Sequence, residues 1–208
     1  MSQLIACKTP SGLVFGADSK AVDADSNGNL IELKVERLHQ LSDYTAIMNA
    51  GTAAGEHMCQ ALKNFIYQEN LRYIGEIHQA ALAFLATEYE KYMRKTCEVQ
   101  PIDPIHQVTF ILGGYAGEQT ASAPYKLFLL WTKRRLPLLD IDEIGDSFTV
   151  PRIIRLEHRL HQLAIQKADL DKAVTEVRRG LEIRAERDDE VSAPLHFAVI
   201  QKTGFRRL

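Results

Sequence analysis

Cysteine is scarce in this chain. Its three cysteines, Cys7, Cys59 and Cys97, are odd in number and nowhere stand at Cys-x-x-Cys spacing, which argues against a disulfide framework and against a zinc knuckle. They read as buried or half-buried free thiols. Long apolar runs are also missing: none approaches the ~20 residues that span a bilayer. The opening MSQLIACKTPSG lacks the basic start and apolar core of a signal peptide, so a cytoplasmic location and no membrane partner are expected. Neither charge sign dominates, since 25 Lys+Arg against 27 Asp+Glu leave a net charge of -2. That balance gives no electrostatic reason to expect nucleic acid as a partner. The basic clusters Lys133-Arg134-Arg135 and Arg206-Arg207 are short and carry no interleaved aromatics, which suits solubilising turns and termini. Gly113-Gly114 lacks the surrounding residues of a phosphate-binding loop and reads as a sheet bend. His158 and His161 stand beside Glu157 at helical spacing without a third sequence-adjacent ligand, so a solvated helix face is expected, with no metal and no cofactor.

What is present is enough for one large domain. The 208 residues are 46% hydrophobic and 25% charged, and no repeat or linker-like stretch divides residues 1–208. Residues 3 to 8 and LVFGADS, joined by Thr9-Pro10-Ser11-Gly12, predict a hairpin whose opposed residue numbers sum to about 21, an estimate from antiparallel pairing that sets residue 2 beside Asp18 and Ser19. DADSNGN (23 to 29) predicts a loop, and LIELKVERL and TAIMNAG predict two further strands. Helical periods begin at Thr52 and span about 74 to 95, placing two antiparallel helices together. QPIDP (100 to 104) breaks them. VTFILGGY, YKLFLLW and LPLLDI read as strands, followed by helices near 151 to 166 and 170 to 187, with Asp169 or Asp171 as cap, and a last strand LHFAVIQ. The order lacks strict βαβ alternation. It predicts an α+β fold with two stacked antiparallel sheets between helical layers.

One residue combines nucleophile and base. If Met1 is removed, Ser2 carries both its hydroxyl and the free α-amine, whose ordinary pKa near 8 suits it to accept the hydroxyl proton at neutral pH. A buried lysine nearby would depress the amine and stabilise the deprotonated oxygen. Lys34 could serve, with Asp18 as counter-ion.

SQLIACKTPSGLVFGADSKA resembles the opening strand pair of proteasome β-subunits and their bacterial relatives HslV and Anbu. In that family nucleophile, Asp and Lys are separated by 16 and then 16 residues, and Ser2, Asp18 and Lys34 keep both intervals. KVERL (34 to 38) is similar to the lysine-bearing strand, and NAGTAAGE (49 to 56) to the turn whose glycine N–H, here Gly51, forms the oxyanion hole. GGY (113 to 115) and IGDS (144 to 147) resemble the elements that bring a supporting serine, Ser147, near the chain start. Residues 187 to 192 resemble an Arg-Asp-x-x-Ser element with one residue inserted, making Asp189 and Ser192 the pair that, together with Ser147, the resemblance assigns to orienting amine and water. Departures are serine in place of the family's usual threonine, a longer interval from Lys34 to the glycine turn, and Ala193 where a glycine is expected. The resemblance implies the N-terminal-nucleophile αββα sandwich and hydrolysis of peptide or unfolded-protein substrates inside a homo-oligomeric ring. It leaves room for an unfolding ATPase partner. The rival expectation is a noncatalytic ring-forming scaffold that keeps Met1; a third is an amidase or transpeptidase using the same nucleophile.

Overall fold

The computed structural model describes residues 2–24, 30–97, 107–118, 123–132 and 138–208. The state of Met1, most of the 23 to 29 loop, the QPIDP breaker and the Lys133-Arg134-Arg135 cluster lie outside these residues. β1 (Leu4–Thr9) and β2 (Gly12–Ala17) form the expected hairpin. Leu4 pairs with Ala17 and Thr9 with Gly12, so the opposed numbers do sum to 21. This hairpin lies inside a five-stranded antiparallel sheet of order β10-β1-β2-β11-β12, with β10 (Ser147–Val150), β11 (His196–Gln201) and β12 (Gly204–Arg207). A second such sheet runs β5-β6-β7-β8-β9, over Leu38–Ser42, Thr45–Gly51, Val108–Tyr115, Tyr125–Trp131 and Asp140–Ile144.

Successive strand residues point to opposite faces, and the two sheets use both. Leu4, Ala6, Leu13 and Phe15 share one core with Met48, Ile111, Leu127 and Leu129 of the other sheet. On the outer face of the first sheet, Ile5, Cys7, Val14 and Val199 pack against Leu156 and Leu160 of α3 (Ile154–Ile165) and Ala173, Val177 and Leu181 of α4 (Leu170–Arg187). On the outer face of the second, Ile47, Phe110 and Leu130 pack against Met58 and Leu62 of α1 (Ala54–Gln68) and Ile77, Ala81 and Leu85 of α2 (Ile74–Cys97). Burial on both faces explains the near-continuous apolar runs of β1, β2, β7 and β8, which one-sided sheets would not show.

Three expectations change. Gly113 and Gly114 lie within regular β7 rather than at a bend. A Cβ on Gly113 would stand 2.5 Å from Leu127 and 2.7 Å from Phe15, so the glycine lets the two sheets approach. LIELKVERL is not one strand: β4 ends at Lys34 and pairs only with β3 (Lys20–Ala24) in a separate two-stranded ribbon, and the chain leaves strand geometry over residues 35–37 before β5 begins. Asp169 occupies the N-cap of α4 with extended dihedrals, but its side chain makes no capping bond. Strands β10 and β12 are short additions at the edges of the first sheet. Among the described residues, no helix is long and apolar enough to cross a membrane.

Candidate active site

The start of β1 lies beside Asp18, one of the residues singled out from the sequence. Ser2 is 7% exposed and Gln3 wholly buried, because hairpin pairing continues past Leu4. The Gln3 N–H donates to Asp18 Oδ1 at 2.9 Å, and the Asp18 N–H donates to the Gln3 carbonyl at 3.2 Å. The Gln3 side-chain amide donates to the carbonyls of Val150 at 3.2 Å and Pro151 at 3.3 Å. Ser2 is thus the next residue before a backbone amide anchored on a buried carboxylate.

Asp18 is completely buried. Burial raises its pKa above the ordinary carboxyl value, opposed by the Gln3 N–H, the Arg37 charge and the N–H groups of Lys20 and Ser192. The Lys20 N–H reaches Oδ2 at 3.2 Å. The Ser192 contact brings in the late element, as do Ser19 N–H to the Ser192 carbonyl at 3.3 Å and Ser19 Oγ to the Pro194 carbonyl at 2.5 Å. Asp189 is tied to the same corner through its carbonyl, which accepts Lys20 Nζ at 2.5 Å. Asp18, Asp189 and Ser192 are therefore brought together. Between this corner and α4 lies an open cleft of about 590 Å³ lined by Lys20, Glu32, Glu186, Asp189, Ser192 and Leu195, among others.

The counter-ion of Asp18 differs from the expected one. Arg37, 1% exposed, places Nε 3.5 Å from Asp18 Oδ1, an ion-pair separation without hydrogen-bond geometry. Lys34 lies exposed on β4, in register opposite Lys20. The physical reason is the break at residues 35–37, which ends the ribbon at Lys34 and turns Arg37 inward at the foot of β5. Arg37 was not singled out from the sequence. Reading residues 30 to 38 as one strand gave no signal that a charged residue among Val35, Glu36 and Leu38 enters the core.

Gly51 ends β6 with φ +99, and a Cβ there would stand 2.1 Å from the Gln107 carbonyl oxygen. Only glycine fits this backbone. The turn is held by the Thr52 N–H donating to the same oxygen at 3.2 Å.

Ser147 does not join the cluster. It pairs with Cys7 in the β10–β1 register, five residues along β1 from Ser2, or roughly 17 Å at the rise of an extended strand. Its Oγ donates to the Glu157 carbonyl at 3.1 Å. Antiparallel pairing runs the numbers the other way, so Val150 and Pro151 rather than Ser147 adjoin the chain start. Behind them, buried Glu157 accepts Thr149 N–H at 2.9 Å, Thr149 Oγ1 at 2.7 Å and Arg152 Nε at 2.7 Å. Cys7 lies between the first sheet and its helices. Burial, aided by Asp146, pushes its thiol up to about 12, and burial likewise holds Cys59 well above the ordinary thiol range. His161 Nδ1 lies 2.8 Å from Asp146 Oδ2, and His158 is exposed.

No protein-family model matches the chain, and no curated protein matches it in sequence. Among solved structures, it is similar to the Anbu (ancestral beta-subunit) from Yersinia bercovieri, with TM-score 0.68 and 15% identity, over 99% of this chain and 86% of that one. At this identity the likeness is one of fold, and the fold is proteasome-like.

Proposed function

We propose that the chain is a proteasome-like peptidase subunit whose nucleophile is Ser2, freed by removal of Met1, and that its two sheets and four helices form the αββα sandwich of N-terminal nucleophile hydrolases. The observation that carries this reading is the placement of Ser2 at the buried tip of β1, one peptide from an N–H fixed on Asp18. Ser2 Oγ attacks the scissile carbonyl while the α-amine takes the hydroxyl proton. The new C–O bond forms as the carbonyl π pair moves to the oxygen, where the Gly51 N–H stabilises it. Collapse breaks the C–N bond, and the amine delivers its proton to the leaving nitrogen. Water then attacks the acyl ester with the same amine as base, releasing the acid and restoring Ser2. Asp189 and Ser192 orient the amine and that water. A homo-oligomeric ring encloses the sites and limits substrates to peptides and unfolded chains. An unfolding ATPase would act upstream of such a ring. Serine, lacking the threonine methyl, leaves χ1 less restricted.

The test pairs intact mass with mutation. The mature protein is expected to lack Met1, and Ser2→Ala to abolish hydrolysis of a fluorogenic peptide while leaving assembly unchanged; undiminished turnover would remove Ser2 from the mechanism. The Asp18–Arg37 pair favours a second reading, a noncatalytic scaffold, because it engages the carboxylate expected to hold Lys34. Met1 retained in the assembled protein would decide for that scaffold.

A further inference from the structure

Arg37 is a fully buried guanidinium with three attachments on separate elements. Nε faces Asp18 at the end of β2 at 3.5 Å. One terminal nitrogen donates to the Asn49 carbonyl of β6 at 3.4 Å, and the other to the Lys20 carbonyl at the start of β3. The Asn49 N–H returns a bond to the Arg37 carbonyl at 3.1 Å. These elements carry Asp18, the path to Gly51, and the corner that contacts Ser192. A planar guanidinium can hold several acceptors at fixed angles, which a lysine ammonium cannot reproduce.

We propose that Arg37 is a positioning residue of the site: by neutralising buried Asp18 and bridging Lys20 to Asn49, it fixes the Gln3 N–H, and with it Ser2, relative to the Gly51 turn. The role of Ser2 in this inference rests on the peptidase reading above. Asp18 Oδ1 is shared between the Gln3 N–H and the Arg37 charge. Its other backbone partners are the N–H groups of Lys20 and Ser192. On the Arg37 side, the remaining acidic neighbour is Glu56 of α1. Lys20 Nζ is engaged by Glu32 and the Asp189 carbonyl. Arg37 is therefore the side-chain cation that compensates Asp18 in its burial. Without it, a carboxylate wholly removed from water takes up a proton at higher pH and loses much of its hold on the Gln3 N–H.

The experiment uses the mature, assembled protein carrying Arg37→Met or Arg37→Lys. Fluorogenic-peptide hydrolysis is followed as a full pH profile, since burial raises the Asp18 carboxyl above its ordinary value. Arg37→Met should lower kcat at least about tenfold with KM little changed, and raise the acid limb of the kcat profile by about one pH unit. Arg37→Lys should return the acid limb most of the way, because it keeps the charge, and recover kcat only in part. Hydrogen exchange of the N-terminal peptide gives a readout independent of turnover. Residues 4–9 lie between two paired strands and exchange slowly, so faster exchange in Arg37→Met reports the Gln3 amide. If Arg37→Met does not assemble, Arg37→Lys carries the test, and wild-type kcat in that variant overturns the bridging role. Unchanged acid limb and unchanged Gln3 exchange in Arg37→Met overturn the proposal. Active Ser2→Ala would instead overturn the peptidase reading and leave the exchange result to judge Arg37.

Discussion

At Gly51 two constraints meet. Its φ of +99 is a region that side chains with a Cβ seldom enter, and the Gln107 carbonyl oxygen occupies the place a Cβ would take. Gly51→Ala is expected to lose ~1–2 kcal/mol from the left-handed dihedral alone, with backbone displacement added. Because the same N–H is proposed to face the oxyanion, kcat should fall by roughly 10²–10³. Thermal unfolding and peptide turnover, measured beside Gly145→Ala, check this; at Gly145 a Cβ would meet nothing within 4 Å. Equal losses in the two variants would show that Gly51 has no special place. At this scale the sequence was partly legible. Hairpin arithmetic placed residue 2 beside Asp18 because strand pairing is local and the turn is short. Arg37 was not legible, since its burial depends on a backbone break that neither charge nor period announces.

Among the elements, β10 shows how a side chain joins a strand to a helix. Glu157 on α3 accepts both Thr149 groups and the Arg152 guanidinium. Burial works against its charge, but Arg152 and Thr149 win, leaving its pKa below the usual carboxyl range. The stabilisation is therefore complete above the unfolded value of about 4.3 and disappears as pH falls through the lower folded value. Since Arg152 is well exposed and Thr149 buried, most of the energy belongs to the Thr149 bonds. Glu157→Gln should cost about 1–3 kcal/mol at neutral pH, and urea denaturation should show that gap closing as pH falls below the unfolded carboxyl value of about 4.3. A gap that persisted there would exclude charge as its source. Helices α1, α2 and α4 and strands β7 and β8 were readable from period and punctuation. β10 and β12 were not, because four residues give too short a pattern, and the ribbon strand β4 merged with β5 because the alternation of charged and apolar residues over Glu32-Leu33-Lys34-Val35-Glu36 runs on into the break. Ser147 was misplaced for a related reason: motif likeness carries no register, and register decides which end of β10 meets the chain start.

Among the described residues, each five-stranded sheet is packed on both faces, so the chain start enters a layer with little free surface. That arrangement also buries Cys7 and Cys59, and burial keeps both thiols protonated throughout the neutral range. A thiolate, not a thiol, reacts with soft alkylating agents, whereas a serine hydroxyl paired with an amine reacts with hard electrophiles. The mature assembly should therefore sort inhibitors by hardness. Peptide boronates are expected to abolish turnover and iodoacetamide to leave it intact, as followed by residual rate and by adduct mass. Inhibition by iodoacetamide with an adduct on Cys7 would contradict this ordering. The depth at which two cysteines lie thus makes reagent selectivity a property of the architecture, set before any substrate is chosen.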